Sequence, residues 1–128
     1  MADDPPRPTD AELEILTVLW SIGRATVREV HEVISRRRPA QYSTVLKFMQ
    51  IMAEKGLVRR DETQRAHIYQ AARPREWTQR QLAGDLMERA FSGSAKALLM
   101  GALAARKATR EELAEMRKLL EAYRKGEK

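Results

Sequence analysis

No cysteine occurs in the 128 residues. Disulfides, thiolate metal sites and a cysteine nucleophile are therefore excluded, and the composition fits a cytoplasmic location. Nor does any apolar run approach the roughly 20 residues needed to span a bilayer. The start, Met1-Ala2-Asp3-Asp4-Pro5-Pro6, is acidic and has no apolar stretch behind a basic beginning, so it reads as an arm and not as a secretory signal. His31 and His67 stand alone, without spaced Asp or Glu partners, and neither a metal nor a cofactor is expected. Nothing pairs carboxylates, cradles phosphate or sets a base beside Ser43-Thr44. No catalytic residue is assigned, and the chain does not read as an enzyme.

Positive charge is present, and it is unevenly spread. The net charge is +6, with one basic and five acidic residues from Met1 to Gly23, twelve and five from Arg24 to Arg75, and eleven and eight from Glu76 to Lys128. The middle third thus carries most of the excess. A basic stripe of this kind suits a polyanion, nucleic acid before membrane.

The order of elements is legible from caps and periodicity. Residues 1–8 read as a disordered arm. Thr9-Asp10-Ala11-Glu12 is a capping box, in which a Thr side chain accepts from the first turn while a Glu reaches back. Leu13, Leu16, Leu19 and Trp20 follow at helical spacing beside Ile15, up to Gly23. A second box, Thr26-Val27-Arg28-Glu29, opens a short helix with Val27, Val30, Val33 and Ile34 on one side. Arg36-Arg37-Arg38 suits the negative end of its dipole. A third helix is expected from Ser43 to Lys55, with Val45, Phe48, Met49 and Met52 buried, polar residues off that stripe, and Gly56 as a left-handed cap. Two β-prone runs, Leu57–Arg60 and Ala66–Ala71, flank a polar connection and read as a hairpin, although its turn lacks Gly or Asn. From Glu76 the chain reads as helix throughout. Ser92-Gly93-Ser94 interrupts it, the helix from Ala95 to Arg106 is apolar on nearly every side, and Thr109-Arg110-Glu111-Glu112 is a third box.

Three helices followed by a hairpin is the order of a winged helix-turn-helix, whose third helix enters the major groove. The fold class is therefore mainly α with a small β-hairpin: a winged-helix DNA-binding domain over 9–75 and a helical dimerisation domain over 76–125. Tyr42, Ser43, Thr44, Lys47 and Gln50 on the third helix, with Arg59, Arg60 and Arg65 on the hairpin, are the expected DNA contacts. Tyr42 could instead staple the helix start, and both roles stay open. Polar side chains on the helix can reach base edges, while the hairpin arginines can neutralise phosphates. Three helices in about 50 residues cannot bury an all-round apolar helix by themselves, so a partner subunit is expected over it. Leu98, Leu99 and Leu103, with Leu113, Met116 and Leu120 from the last helix, are the expected dimer contacts. Trp20, Phe48 and the methionines are read as core, and Trp77 as packing at the joint of the two domains. The competing reading is a winged-helix protein-interaction module without sequence-specific DNA binding, in which Leu46 and Ile51 would touch the partner.

Several stretches also carry a family resemblance. Tyr42-Ser43-Thr44-Val45-Leu46-Lys47, Met52-Ala53-Glu54-Lys55-Gly56-Leu57-Val58-Arg59-Arg60, the opening Thr9–Leu16 with Leu19-Trp20, Phe91–Leu98 and Glu111–Leu120 together resemble the penicillinase-repressor (BlaI/MecI) family. The resemblance runs from Thr9 to Tyr123. It implies a homodimer on a palindromic double-stranded operator that blocks transcription, released when a membrane-bound metalloprotease sensor cuts an Asn-Phe bond in the dimerisation domain. This chain contains no asparagine, and Gly101-Ala102 stands at the equivalent point. Copper-responsive relatives carry C-terminal cysteines, which are also missing here.

Overall fold

All three threonine boxes close as expected. Thr9, Thr26 and Thr109 each accept the amide of the glutamate three residues on, and each glutamate carboxylate takes the threonine's own amide. These reciprocal bonds satisfy backbone donors that a helix start otherwise leaves without partners. In the computed structural model, which describes residues 7–126, the elements are α1 (Asp10–Ile22), α2 (Val27–Ser35), α3 (Tyr42–Lys55), β1 (Val58–Asp61), β2 (Ile68–Ala71), α4 (Arg75–Ala90), α5 (Ala95–Ala105) and α6 (Arg110–Arg124). Residues 1–6 of the expected arm lie outside the described residues. No helix among the described residues is long and apolar enough to cross a membrane.

The chain divides into two compact units, one up to Leu82 and one from Ala83 onward. In the first, α1, α2 and α3 pack on one another and on the hairpin. Their shared core holds Ile15, Leu16, Val18 and Leu19 of α1, Val27, Val30 and Ile34 of α2, and Val45, Met49 and Met52 of α3. Tyr69 of β2 closes it from the hairpin side. Each fully buried side chain of this size contributes about 1.5–3 kcal/mol through its removal from water. The burial differs in detail from the simple stripes. Val18 is wholly buried, whereas Leu13, Trp20, Val33 and Phe48 are only half-buried. The reason is that α1 packs against two helices and a strand at once, which widens its buried arc beyond a single line of residues. Trp20 sits at the edge, where its indole N–H donates to the Arg73 carbonyl at 2.9 Å.

The hairpin is antiparallel, with Val58 opposite Ala71, Arg59 opposite Gln70, Arg60 opposite Tyr69 and Asp61 opposite Ile68. Its turn works without Gly or Asn because Asp61 takes their role. One carboxylate oxygen accepts from the Thr63 amide at 2.9 Å and the Thr63 hydroxyl at 2.7 Å, a side-chain mimic of a backbone turn. That amide bond, then the hydroxyl bond, hold the Asp61 carboxyl below its ordinary range. Arg24 reaches the other oxygen at 3.1 Å. Ala25 pairs with Tyr69 through bonds of 3.0 and 2.7 Å, adding a third short extended segment to the edge of the hairpin.

The first part of α4 belongs to this first unit. Thr78 is buried, and Trp77 is half-buried with the Arg73 guanidinium 4.5 Å from its ring centre. In the second unit, α4 ends where the Gly93 amide reaches back to the Met87 carbonyl at 2.9 Å, with Gly93 at φ +77°. The Ser94 side chain then caps α5 by accepting the Ala97 amide. Gly101 lies under the Phe91 ring, where a Cβ would meet ring carbons at 3.2 and 3.4 Å. No residue of α5 or α6 is buried. Leu99, Met100, Leu103, Leu113, Leu119, Leu120 and Tyr123 are exposed in the single chain, and Leu98 and Met116 are half-buried.

Candidate nucleic-acid interface

The orientation of α3 follows from its core residues. Val45, Met49 and Met52 face inward, and at 3.6 residues per turn the opposite side carries Ser43, Lys47, Gln50 and Glu54, all exposed. Tyr42, in the first turn, is also exposed, and Thr44 lies toward the α1 side, beside Arg38 and Glu14. Leu46 packs partly against the core, and Ile51 is half-buried. Much of the surface that these two residues would offer to a protein partner is therefore already used.

A groove of about 780 Å³ runs between α3, the start of α2 and the hairpin loop. Tyr42 and Gln50 line it from α3, Arg28 from α2, and Arg65 and His67 from the loop. It thus unites three of the expected residues, Tyr42, Gln50 and Arg65, with two that sequence reasoning had not singled out. Arg28 was visible only as an exposed position off the α2 stripe. His67 was visible only as a loop residue next to Ile68. Ser43 and Lys47 flank this groove on the same exposed side of α3.

The other hairpin arginines are placed differently. The Arg60 side chain reaches the Glu62 carboxylate at 2.7 Å. The Tyr69 hydroxyl first, and then Glu62, raise its already high pKa, so its charge is partly compensated within the hairpin. Arg59 points with Gln70 to the other face of the hairpin and lines a separate groove with Arg24 and Arg73. Strand alternation makes this separation inevitable, because neighbouring residues of a strand face opposite ways.

The α2–α3 turn is held by two polar contacts. Arg38 grips Glu14 of α1 through two bonds, at 2.6 and 3.2 Å. The hydrogen bond from Arg38, more than its charge, holds the Glu14 carboxyl below its ordinary range. His31 Nε2 lies 2.8 Å from the Ala40 carbonyl and 3.1 Å from the Ser35 hydroxyl, and its ring meets Tyr42 edge-on at 5.7 Å. His31 is thereby accounted for as a structural residue. Gln41, the N-cap of α3, makes no side-chain cap bond. At the other end, Gly56 adopts the left-handed conformation expected for a helix stop, at φ +82°.

Comparison with known proteins gives two concordant results. The sequence profile of the penicillinase repressor family matches residues 8–122. Two curated relatives, each described as transcriptional regulator BlaI, come from Mycobacterium tuberculosis strains CDC 1551 / Oshkosh and ATCC 25618 / H37Rv. Each is 38% identical over 93 residues, which cover 71% of this chain and 67% of the relative.

Proposed function

The chain belongs to the penicillinase repressor family of transcriptional regulators, and on that premise we propose that it acts as a homodimeric repressor seated on a palindromic double-stranded operator. The observation that carries this reading is the groove in which the polar side of α3 meets the basic hairpin loop, with Gln50 and Arg65 on facing walls. The major groove of B-DNA admits one helix, and its base edges present donors and acceptors that Lys47 and Gln50 can match. Arg65, with Arg28 on the start of α2, supplies the phosphate contacts that set register without reading sequence. Tyr42, Ser43 and Thr44 add contacts at the start of α3. Two such heads related by a two-fold axis suit half-sites about one helical turn apart, or a multiple of it.

Titrations at several salt concentrations test this division of labour. Lys47→Ala or Gln50→Ala is expected to change the preference among operator variants by about 1–3 kcal/mol for each bidentate base pairing removed. Arg65→Ala should weaken every duplex alike and reduce the log–log salt slope by about 0.9. A salt slope near zero on all duplexes would remove the reading. Hairpin variants that alter base preference while α3 variants do not would reverse the assignment.

The family resemblance adds release by a membrane-bound metalloprotease sensor. The logic of such a cut is general: separating two linked reading heads loses the gain from bivalency without damaging either head. With no asparagine available, the cut is assigned to the Gly101–Leu103 stretch of α5, where Gly101 costs about 1 kcal/mol of helix stability relative to Ala. In cells under cell-wall stress, mass spectrometry should find a fragment ending at 101, 102 or 103. An intact mass throughout derepression excludes proteolysis.

A further inference from the structure

A second groove, of about 440 Å³, opens at the base of the hairpin and shares no residue with the first. Its volume lies within the roughly 300–1,000 Å³ usual for small-molecule sites. Three arginines converge on it from separate parts of the chain: Arg24 just past α1, Arg59 on β1, and Arg73 ahead of α4. Trp20 supplies an aromatic wall, and no acidic residue lines the groove. Two of the three guanidiniums are held in place. Arg24 is tied to Asp61 at 3.1 Å, and Arg73 lies over the Trp77 ring. The main chain at Arg73 is fixed as well, by the 2.9 Å bond from Trp20 to its carbonyl. Among the described residues Arg59 is paired with no carboxylate. A single acid, Asp61, therefore faces three cations, and the groove keeps an excess of about two positive charges.

We propose that this groove is a binding site for a small dianion, of the dicarboxylate or phosphoryl class, clamped between Arg59 on the hairpin and Arg73 at the entry to α4. Guanidinium forks bind carboxylate and phosphate oxygens in bidentate fashion, and charge-assisted bonds of this kind are about twice as strong as neutral ones. Such a ligand would link the hairpin to the segment that leads into α4, a connection that no side-chain pair among the described residues makes at present. Arg59 thereby acquires a role that its position away from Tyr42 and Gln50 denies it in base or loop contacts. Phosphoryl oxygens also belong to the DNA backbone, so the test must separate a free anion from a duplex.

The two tryptophans of the chain report directly on the site, since Trp20 lines it and Trp77 carries Arg73. Their fluorescence is followed while sodium pyrophosphate, or in a second series sodium succinate, is added at ionic strength held constant with sodium chloride. The expected result is a saturable change with a Kd below about 1 mM for at least one of the two anions. Arg59→Gln should weaken it at least about tenfold, as removal of a charge-assisted bond implies, and Arg65→Gln should leave it unchanged. Arg59→Gln should also leave the salt slope for duplex DNA intact. A non-saturating response to both anions, or an unchanged Kd in Arg59→Gln, overturns the proposal. A fall of about 0.9 in the duplex salt slope for Arg59→Gln also overturns it, because Arg59 then belongs to the DNA backbone.

Discussion

Leu103→Asp is expected to turn the protein into a monomer and to weaken its grip on a full palindrome by about 10²- to 10⁴-fold, the range that joining two binding modules can supply. Leu103 is 38% exposed and Leu99, one turn earlier on α5, is 36% exposed, while α6 leaves Leu113, Leu119 and Leu120 open as well. So many leucines on two adjacent helices with no buried residue between them have no core of their own in the single chain. A second copy would give them one. Because Leu103 faces solvent in the single chain, an aspartate there should change the stability of that chain by no more than about 0.5 kcal/mol. In a dimer the same carboxylate would be buried without a partner, which is strongly unfavourable. Light scattering reads the assembly state. Parallel titrations with a full palindrome and with an isolated half-site separate bivalency from damage to the reading head, since half-site affinity should not move. A variant that stays dimeric would place the interface elsewhere.

What could be read in advance, and what could not, follows the range of the interactions involved. Each threonine box is a contact over three residues, and all three formed as read. The left-handed stop at Gly56 is likewise local. The inward side of α3 was legible because Val45, Met49 and Met52 recur at helical spacing, and this alone turns Ser43, Lys47 and Gln50 outward. The hairpin was legible as two β-prone runs, but its register was not. The turn is made by Asp61 bonding Thr63 and not by a glycine, so the sequence offered no fixed point from which to count alternating faces. Arg59 and Arg65 were therefore grouped together, although the strand sends Arg59 to a separate groove. The Ala25–Tyr69 pairing spans 44 residues and has no sequence signature. Glu12 was read only as half of a capping box, yet it is among the most buried side chains in the molecule. Its partner is 43 residues away.

That hidden pair should be the costliest single polar contact to break. The Glu12 side chain is 2% exposed. One of its oxygens accepts the Thr9 amide at 2.9 Å, and the other accepts from Lys55 Nζ at 2.8 Å. Burial by itself pushes the carboxyl up. The Lys55 hydrogen bond, the Thr9 amide and the Lys55 charge together outweigh burial and hold it below its ordinary value of 4.5. Lys55→Met removes the cation and leaves a buried carboxylate with the Thr9 amide alone. Breaking fully buried pairs typically costs about 3–5 kcal/mol, and because the Lys55 side chain is 34% exposed the expected loss is roughly 2–3 kcal/mol. In a chain of this size that lowers the melting temperature on the order of 10 °C. The sign of the pH dependence follows from the lowered pKa. Stability from the ionised Glu12 is fully present above the unfolded value near 4.5 and is lost as the pH falls through the lower folded value. In Lys55→Met the carboxyl no longer has its cation, so burial favours the protonated form, which needs none. The gap in melting temperature between parent and variant should therefore be widest near neutral pH and should narrow as the pH drops below about 4.5. Adding Glu12→Gln to Lys55→Met should recover part of the loss at neutral pH, since an amide oxygen can still cap Thr9 without carrying a buried charge. A gap that does not change with pH, or a double variant no more stable than Lys55→Met, would show that Lys55 acts only as a cation at the end of α3, where its interaction with the helix dipole is worth about 0.3–1 kcal/mol.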